Sequence, residues 1–572
     1  MGIAATNILE RIGTSLGGLC QAELQFKDCL DVPDGGVLLA LPALLSQGLL
    51  HHIEEYFKWP KGYYPITSIF MLLGFMALAR IKFIESLKYI APGEWGKLLG
   101  LDRIPEAKTL RNKIHFLSEY GQPKEWSVAL SRDWMHKEPE STGILYIDGH
   151  IRVYYGQQTK LPRRYVSRDK LFARTTCEYW VHAMGGKPFF YISKAIDPGL
   201  LKVLMNDIIP RLMQDIPNQP TPKQLEADPL LPRFTIIFDR EGFSPKIMRQ
   251  LWVEKRIAIS TYVKNQTEAW PEEEFSAYSG TFPSGETVNL QLAERGVPYL
   301  KNTEKENNKI WVREVRRLKK DGTQGAIVST NYKTDLVSSF VSVISRWSQE
   351  NFFGYARKEF NIDRLIDYGL EDVSDTTRIT NPKYREINSE IKRLTSLLIK
   401  KRAELCNTTL EGDIDSGKTE EYTKKKSDLL EEIATLEKNK ESKRLERKNH
   451  PKHVLFKDLS EEDKFQQLRS TGKHLIDTIK IIAYRAETAM ASIIREEMPY
   501  HDFGTTRGLL RGIYNSSVDI EVDHDKKVLT VRLHHLANGV SNNAARHLCA
   551  ELTEAETMFP GTDYVVVYEL LS

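Results

Sequence analysis

The sequence Ile144-Leu-Tyr-Ile-Asp-Gly-His150 decides the fold class of this chain, because it is an apolar run with a carboxylate near its end. The apolar residues predict a strand that is buried on both faces, and aspartate is a residue that strands avoid. An isolated Asp-Gly pair is most simply a turn. Here the pattern returns in Phe234-Thr-Ile-Ile-Phe-Asp239, so two strands each present an aspartate at the same end. Together they predict a shared metal site with Asp148 and Asp239 as ligands.

The elements around these two strands follow a definite order. Residues 178–184 and 188–194 flank Gly185-Gly186, a pair that is typical of a hairpin turn. Residues 200–213 and 244–255 have helical spacing, and residues 258–263 predict a last strand. Three strands, a helix, a strand, a helix and a strand is similar to the order in ribonuclease-H-like domains. We therefore expect an α/β protein in which residues 141–265 form the first part of such a catalytic domain.

The remaining residues divide into further segments by composition. Residues 1–140 predict a helical N-terminal domain, and residues 266–335, with short alternating runs, predict a small β insertion. Residues 336–375 return to helical spacing and complete the catalytic domain. Residues 376–450 predict a charged helical hairpin, with an intermolecular coiled coil as the alternative. Residues 451–572 predict an α+β C-terminal region, whose first helix is capped by Ser460 and Asp463.

Composition limits the kinds of protein this chain can be. A formal net charge of +3 over 572 residues is nearly balanced, so any surface that binds nucleic acid must be local. The five cysteines form no CxxC pair, which argues against a cysteine-built zinc site and favours a reducing compartment. The most apolar segment, residues 66–79, is too short to span a bilayer and predicts a buried core helix. We expect a cytoplasmic protein that does not contact membranes.

A third acid is predicted on the helix that follows the β insertion. Residues 336–360 carry an apolar stripe that ends at Trp347, and Glu350 lies three residues further, at the edge of that stripe. The alternative is a surface glutamate beside Arg346 and Arg357. Other acids in the region are Glu241, Glu359 and Asp363, which we rank below Glu350 because they lack its flanking Trp and Arg or lie on the same turn as Asp239.

Two local basic stretches are candidates for binding DNA. The first follows the Asp148 strand and contains Arg163, Arg164 and Arg168 among several tyrosines, a composition suited to a phosphate backbone. The second is a predicted helix that carries Lys108 and Arg111 after a Gly-containing turn, which is consistent with a helix-turn-helix. A solvated loop and an ordinary helical hairpin are the respective alternatives.

Asp148, Asp239 and Glu350, with a β insertion between the second and third, resemble the catalytic acids of DDE transposases of bacterial insertion sequences. The group that is most similar has the signature Y-x2-R-x3-E-x6-K around its glutamate and cuts through a DNA hairpin. At the corresponding positions this chain has Val343, Arg346, Glu350 and Arg357, so the Arg and Glu match while Val replaces Tyr and Arg replaces Lys.

Further stretches carry the same resemblance. The run Trp347-Ser-Gln-Glu-Asn-Phe-Phe353 is similar to Trp-x-x-Glu-Asn-Phe-Phe in related transposases, and Ile482-Ala-Tyr-Arg-Ala-Glu487 and Met558-Phe-Pro-Gly-Thr562 resemble their tails. The likeness covers most of the chain. It implies a cut-and-paste enzyme that binds the terminal repeats of its element as a homodimer, cleaves double-stranded DNA and joins it to a target, in a bacterial cytoplasm in association with the nucleoid.

The chemistry of strand transfer calls for these residue types independently. In-line attack on a phosphodiester uses two hard cations about 3.5–4 Å apart. Mg²⁺, or Mn²⁺ in its place, prefers carboxylate oxygens, so Asp148, Asp239 and Glu350 are predicted to hold two such ions. Arg346 and Arg357 lie near the helical face of Glu350 and are predicted to grip phosphate.

A tryptophan of the insertion is also expected to act on DNA. Hairpin-forming relatives stack a flipped base on a Trp of this insertion, and Trp311 is the candidate, with a core role as the alternative. Two other functions are kept in view: a ribonuclease-H-like nuclease without strand transfer, and a DNA-binding protein without activity.

Overall fold

The computed structural model describes residues 7–59, 62–166, 169–264, 268–283, 285–299, 309–364, 369–409, 416–498 and 503–571. The elements before the central strands are α1 (Ile8–Ser15), β1 (Cys29–Val32), α2 (Leu41–Ser46), α3 (Ile53–Tyr56), α4 (Ile66–Leu78), α5 (Pro92–Lys97), α6 (Ala107–Tyr120) and α7 (Pro123–Lys137). Those of the central region are β2 (Ile144–Val153), β3 (Arg163–Val166), β4 (Leu171–Ala183), β5 (Pro188–Lys194), α8 (Leu200–Val203), α9 (Ile209–Asp215), α10 (Pro222–Ala227), β6 (Thr235–Phe238), α11 (Pro245–Lys255) and β7 (Ala258–Tyr262).

The insertion and the helices after it comprise β8 (Ser276–Thr281), β9 (Thr287–Tyr299), β10 (Ile310–Leu318), β11 (Gln324–Ser329), α12 (Leu336–Ile344) and α13 (Trp347–Phe360). The last part contains β12 (Leu370–Glu371), β13 (Arg378–Thr380), α14 (Pro382–Asn407), α15 (Ser416–Lys448), β14 (His453–Leu455), β15 (Gln467–Leu468), α16 (Thr471–Glu497), α17 (Phe503–Tyr514), β16 (Val518–Asp523), β17 (Val528–Leu533), α18 (Gly539–Glu554) and β18 (Val565–Leu570).

One large sheet runs through the middle of the protein in the order β3-β4-β2-β6-β7-β11-β10-β9-β8, with β5 paired to β4. Strands β2, β6 and β7 are parallel, whereas β4 is antiparallel to both β2 and β5. The strands of the insertion join this sheet because β11 pairs antiparallel with β7. The strands of the predicted β insertion therefore extend the central sheet.

The N-terminal and C-terminal parts share one core. Strand β1 pairs with β16, so the first part of the chain is not helical throughout as predicted, and α4 packs against α16. Helix α4, which contains the apolar segment, has nearly all its residues buried, as its composition predicted. Within the described ranges, no helix combines the length and the apolar composition that crossing a bilayer requires.

Two helix predictions are corrected. Residues 336–360 form two helices with a break at Ser345 and Arg346, so Trp347 leaves the apolar stripe and is 65% exposed. The helix expected from Ser460 begins only at Thr471, since the Ser460 hydroxyl donates to Asp463 within a local turn and β15 intervenes. A polar pair three residues apart is equally compatible with a turn and with a helix cap.

Helices α14 and α15 pack side by side. Their contact buries Ile387, Ile391, Leu394 and Leu398 of α14 together with Leu429 and Ile433 of α15. Cross-helix ion pairs include Lys401–Glu432 at 2.7 Å and Lys443–Glu390 at 2.9 Å. The antiparallel pair of β13 and β14 closes the base of this unit.

Candidate active site

Asp148 and Asp239 occupy equivalent positions on adjacent parallel strands. The register of β2 and β6 pairs Ile144 with Thr235 and Tyr146 with Ile237. Each aspartate lies two residues beyond the last of these pairs, so both side chains reach the same edge and the same face of the sheet. Strand β2 does not end at Asp148 but continues along β4 to Val153, because only its pairing with β6 stops there.

Backbone groups orient both carboxylates. The Gly149 N–H donates to Asp148 Oδ1 at 2.8 Å, and the Arg240 N–H donates to Asp239 Oδ1 at 2.7 Å. In each case the bond comes from the residue that follows the aspartate. The second carboxylate oxygen of each aspartate is thereby turned away from its own backbone and is available for other partners.

Glu350 is connected to Asp148 through Arg346. The Arg346 guanidinium contacts Asp148 Oδ2 at 3.4 Å and Glu350 Oε1 at 2.8 Å. Arg346 is the residue that precedes α13, and Glu350 lies one turn into that helix. The arginine that the sequence predicted to grip phosphate therefore neutralises two of the three predicted metal ligands.

Helix α13 is positioned by contacts on both sides of Glu350. The Ser348 hydroxyl donates to the Met184 carbonyl at 3.0 Å, and Gln349 Nε2 lies 2.7 Å from His182 Nδ1. Phe353 stacks on His150 with the ring centroids 4.7 Å apart. At Gly186, where φ is +83°, a Cβ would come within 2.9 Å of the Ser348 carbonyl oxygen, so the β4–β5 turn needs glycine for this close approach.

The charges of the three acids affect one another. Burial raises the pKa of Asp148 to about 6, Arg346 opposes that rise, and the neighbouring charges of Asp239 and Glu350 add to it. Burial also raises the pKa of Tyr262. The charge of Arg346 opposes this rise, and the charges of Asp239 and Glu350 add to it. With three acids and one arginine, the site has a negative charge that favours the binding of a further cation.

Tyr262 is a site residue that the sequence interpretation missed. Strands β6 and β7 pair Phe238 with Thr261. The next residues in the direction of the two strands are Asp239 and Tyr262, so these two residues are neighbours. The sequence did show a tyrosine, with its polar hydroxyl, near the end of the strand predicted at residues 258–263. Asp148 within β2, Asp239 directly after β6 and Tyr262 at the end of β7 are therefore neighbours across three adjacent strands.

The carboxylate oxygens of Asp148, Asp239 and Glu350 are of the kind that a hard divalent cation prefers. In the described part of the chain, however, no group of three His, Cys, Asp or Glu side chains is arranged to hold one ion. Arg346 takes the place of positive charge between Asp148 and Glu350. A metal would therefore have to replace these arginine contacts.

The lower-ranked acids have other surroundings. Glu359 is almost buried and lies 3.3 Å from Arg80 Nε, and Asp363 Oδ1 lies 2.5 Å from His150 Nε2. Glu241 is exposed on the short turn after Asp239. The contacts of Glu359 and Asp363 therefore connect different parts of the fold.

The predicted basic DNA contacts are dispersed. Arg357 donates to the Phe353 carbonyl of its own helix at 3.1 Å. Arg163 is exposed on β3, whereas Arg164 forms an ion pair with Asp197. Arg168 lies outside the described residues. Of this stretch, Arg163 is the arginine whose exposure suits a phosphate contact.

The second basic stretch lies on α6. Lys108 is exposed there, and Arg111 forms a surface ion pair with Glu85 at 2.9 Å. The opposite side of the helix buries Leu110 and Ile114. The preceding helix, α5, spans only Pro92–Lys97.

The two tryptophans of the insertion differ in environment. Trp311 on β10 is 59% exposed, which excludes the core role that was its alternative. Trp270 is buried between the guanidinium groups of Arg295 and Arg316, whose carbons lie 4.5 and 4.3 Å from its ring centroid. Trp270 is therefore the structural tryptophan of the insertion.

Comparison with known families gives one match. A family model described as "transposase protein" matches residues 2–572, which is nearly the whole chain. A comparison with curated proteins finds no match.

Proposed function

The chain belongs to the transposase family that this model describes, and we propose that it is a DDE-type enzyme that cuts and joins DNA with Asp148, Asp239 and Glu350 as its catalytic acids. The observation that carries this proposal is the shared register of Asp148 and Asp239, with Glu350 joined to Asp148 through Arg346. Three acids that are distant in sequence converge on one edge of the sheet, and one buried arginine links two of them.

The arrangement of the central strands supports a ribonuclease-H-like assignment for this region. Strands β2, β4 and β5, with the short β3 between the first two in sequence, are antiparallel, and the parallel strands β6 and β7 each come after a helical segment. This is the order that the sequence led us to expect of such a domain. The parallel pairing of β2 with β6 brings Asp148 and Asp239 side by side, and the carboxyl ends of parallel strands are where such sheets bind ligands.

In this function, two Mg²⁺ ions held by Asp148, Asp239 and Glu350, with Mn²⁺ as a substitute, would activate the attacking oxygen and stabilise the leaving oxygen. Arg346 keeps Asp148 and Glu350 close to each other before the ions bind. Its guanidinium would also be able to donate two parallel hydrogen bonds to a phosphate of the substrate. Backbone N–H groups of Gly149 and Arg240 hold the two aspartates in orientation.

The partners follow from the same proposal. The enzyme would bind the double-stranded terminal repeats of its element and a target DNA, act as a homodimer in a bacterial cytoplasm and associate with the nucleoid. Arg163, Lys108 and Arg111 have exposed positions that suit contacts with the DNA backbone. Trp311 has an exposed ring that suits stacking on a base.

The experiment that tests the proposal replaces each acid by its amide. Asp148→Asn, Asp239→Asn and Glu350→Gln should each abolish Mg²⁺-dependent DNA cleavage, because amides are poor ligands for this ion, while the fold and DNA binding remain. Glu241→Gln is the matched control, since it changes an exposed acid two residues from Asp239. Full cleavage by any one of the three variants would remove that residue from the site.

A joining assay with pre-cut DNA ends separates this proposal from a ribonuclease-H-like nuclease without strand transfer. Joined product that depends on the three acids supports the transposase mechanism, whereas cleavage without joining supports the nuclease. If the wild-type protein binds DNA but neither cuts nor joins it, the inactive DNA-binding alternative holds.

A further inference from the structure

A cavity of about 610 Å³ is lined in part by Arg152, which is on the same face of β2 as Asp148, and its lining includes six cationic side chains. We call it the basic cavity and define it by Arg152, Lys194, Lys202, Arg378, Arg469 and Lys473. Among its described lining residues, Glu371 carries the single carboxylate, and this group accepts a hydrogen bond from Gln467 at 2.8 Å. The lining therefore has a strong excess of positive charge.

Part of this charge is compensated from behind the cavity and part is not. Lys194 pairs with Asp207 at 2.8 Å, and Lys473 pairs with Asp477. Lys202, Arg378 and Arg469 have no ion-pair partner in the ranges that the structure describes. Partial burial, followed by the nearby charges of Lys202, Lys452 and Arg378, lowers the pKa of His453. The open side of the cavity therefore carries uncompensated positive charge.

Arg152 lines the cavity and has two N–H groups without an acceptor in the ranges that the structure covers. Its side chain is 3% exposed and lies 2.5 Å from Glu178 through Nη2. Its Nε and Nη1 atoms have no hydrogen-bond partner among the described residues. Buried guanidinium N–H groups almost always find an acceptor, and the side chain that carries these two donors lines the cavity.

The N-terminus of α16 opens into the same space. This helix has 27 residues, and Ser470, which precedes it, accepts no hydrogen bond from the first turn with its side chain. Ser470 and Lys473 both line the cavity. The N–H groups of the first turn and the positive end of the helix dipole make this a favourable place for an anion.

We propose that the basic cavity is a binding site for a phosphate group, supplied either by a DNA strand or by free inorganic phosphate. A phosphate offers several acceptor oxygens, which match the two free donors of Arg152, the first turn of α16 and the cations at the mouth. Arg152 is on β2, four residues after Asp148 and on the same face, about 13 Å along the strand. A DNA strand held at the acids passes within reach of the cavity, and only this DNA source rests on the proposed function.

The test uses two cations at the mouth of the cavity. Lys202 and Arg378 are exposed, so the double variant Lys202→Gln with Arg378→Gln should fold normally. The matched control is Lys223→Gln with Lys400→Gln, which removes the same charge from exposed positions outside the cavity. Binding of a DNA duplex of arbitrary sequence is measured against salt concentration in EDTA, and thermal unfolding is measured in phosphate against chloride at equal ionic strength.

Either of two results supports the site and identifies the source. If DNA supplies the phosphate, the cavity variant binds more weakly at all sequences and its slope of log affinity against log salt falls by about 2 relative to the control. If free phosphate is the ligand, phosphate raises the unfolding temperature of the wild-type protein and of the control but not of the cavity variant. The site is overturned if the cavity variant matches the control in both measurements. Because no metal is present, this outcome is independent of whether the acids cleave DNA.

Discussion

At the level of single residues, Arg346 connects two of the proposed acids. Its guanidinium contacts Asp148 at 3.4 Å and Glu350 at 2.8 Å, and its side chain is only 12% exposed. Buried arginine of this kind costs stability unless its partners are well placed. The same guanidinium suits bidentate recognition of phosphate, so one side chain can hold the acids apart from solvent and later contact the substrate.

Replacing Arg346 should therefore affect catalysis more than affinity. We expect Arg346→Ala to lower the single-turnover cleavage rate at saturating DNA on the order of 100-fold, since misplacement of reacting groups has effects of this size. The dissociation constant for DNA should change little. Arg346→Lys keeps the charge but not the planar fork and should recover only part of the rate. A large loss of affinity with an unchanged rate at saturation would make Arg346 an ordinary backbone contact.

His474 is a residue whose titration should govern stability in acid. It is buried, its ring stacks on Tyr191 at 4.8 Å, and its Nδ1 has no hydrogen-bond partner in the described part of the chain. Burial lowers its pKa to about 4, and the nearby charges of Asp477, Lys124, Arg152 and Lys473 modify that value. Its unfolded pKa is about 6.5, so the unfolded chain binds the proton first.

The stability that neutral His474 contributes is present above pH 6.5 and is lost as the pH falls toward 4. At pH 5 the loss is about 2 kcal/mol relative to pH 8. His474→Phe keeps the stacked ring and removes the titration, so the variant should gain about this amount on the wild-type protein between pH 8 and pH 5. Urea unfolding at both pH values measures it. An unchanged difference between variant and wild type would contradict the assignment.

At the level of elements, the insertion adds β8 to β11 to the sheet and carries two tryptophans with different surroundings. Strand β10 lies between β9 and β11, and Trp311 stands opposite Pro298 of β9. The exposed ring of Trp311 lies on a strand that is hydrogen-bonded on both sides. The position of the ring is therefore set by the sheet while its face stays in solvent.

Alanine substitutions at the two tryptophans should differ in their effect on stability. Trp270→Ala should lower the free energy of unfolding by about 3–5 kcal/mol, because it removes a buried ring between two arginines. Trp311→Ala should change it by less than about 1 kcal/mol. If Trp311 stacks a flipped base, its variant should nick element ends normally and accumulate nicked DNA without hairpin. Loss of nicking with an intact fold would rule out that role.

At the level of the whole molecule, distant segments share one core. Glu487 of α16 contacts Arg80 after α4 at 2.5 Å and accepts from the Tyr355 hydroxyl of α13 at 2.9 Å. Arg485 of α16 donates to Gln47 and to Glu138, each at 2.9 Å. Helix α16 therefore joins the N-terminal helices to the helix that carries Glu350.

This connection predicts that residues 1–140 do not fold alone. A fragment of these residues lacks β16 for pairing with β1 and lacks α16 for packing on α4, so it should show no cooperative thermal transition. Co-expressed with residues 141–572, it should co-purify and restore the transition. As a control, replacing residues 382–448 by a short linker should leave the rest folded, because β13 and β14 hold the two ends together. A cooperative transition in the isolated fragment would contradict the shared core.

The sequence by itself determined most of the central strands, with Asp148 in β2 and Asp239 directly after β6. Buried strands need continuous apolar runs and the Gly185-Gly186 turn needs glycine, so these features are set by neighbouring residues and are visible in the chain. The predicted hairpin at residues 178–194 and the strand at residues 258–263 agree with β4, β5 and β7 for this reason.

Only the tertiary structure decided which surfaces meet. The pairing of β1 with β16, the contact of Arg346 with Asp148 and the basic cavity all join residues that are far apart in the chain. Local patterns report how much of a residue is buried but not against what, because many partners with similar apolar faces satisfy the same pattern. The choice among them depends on the packing of the complete chain.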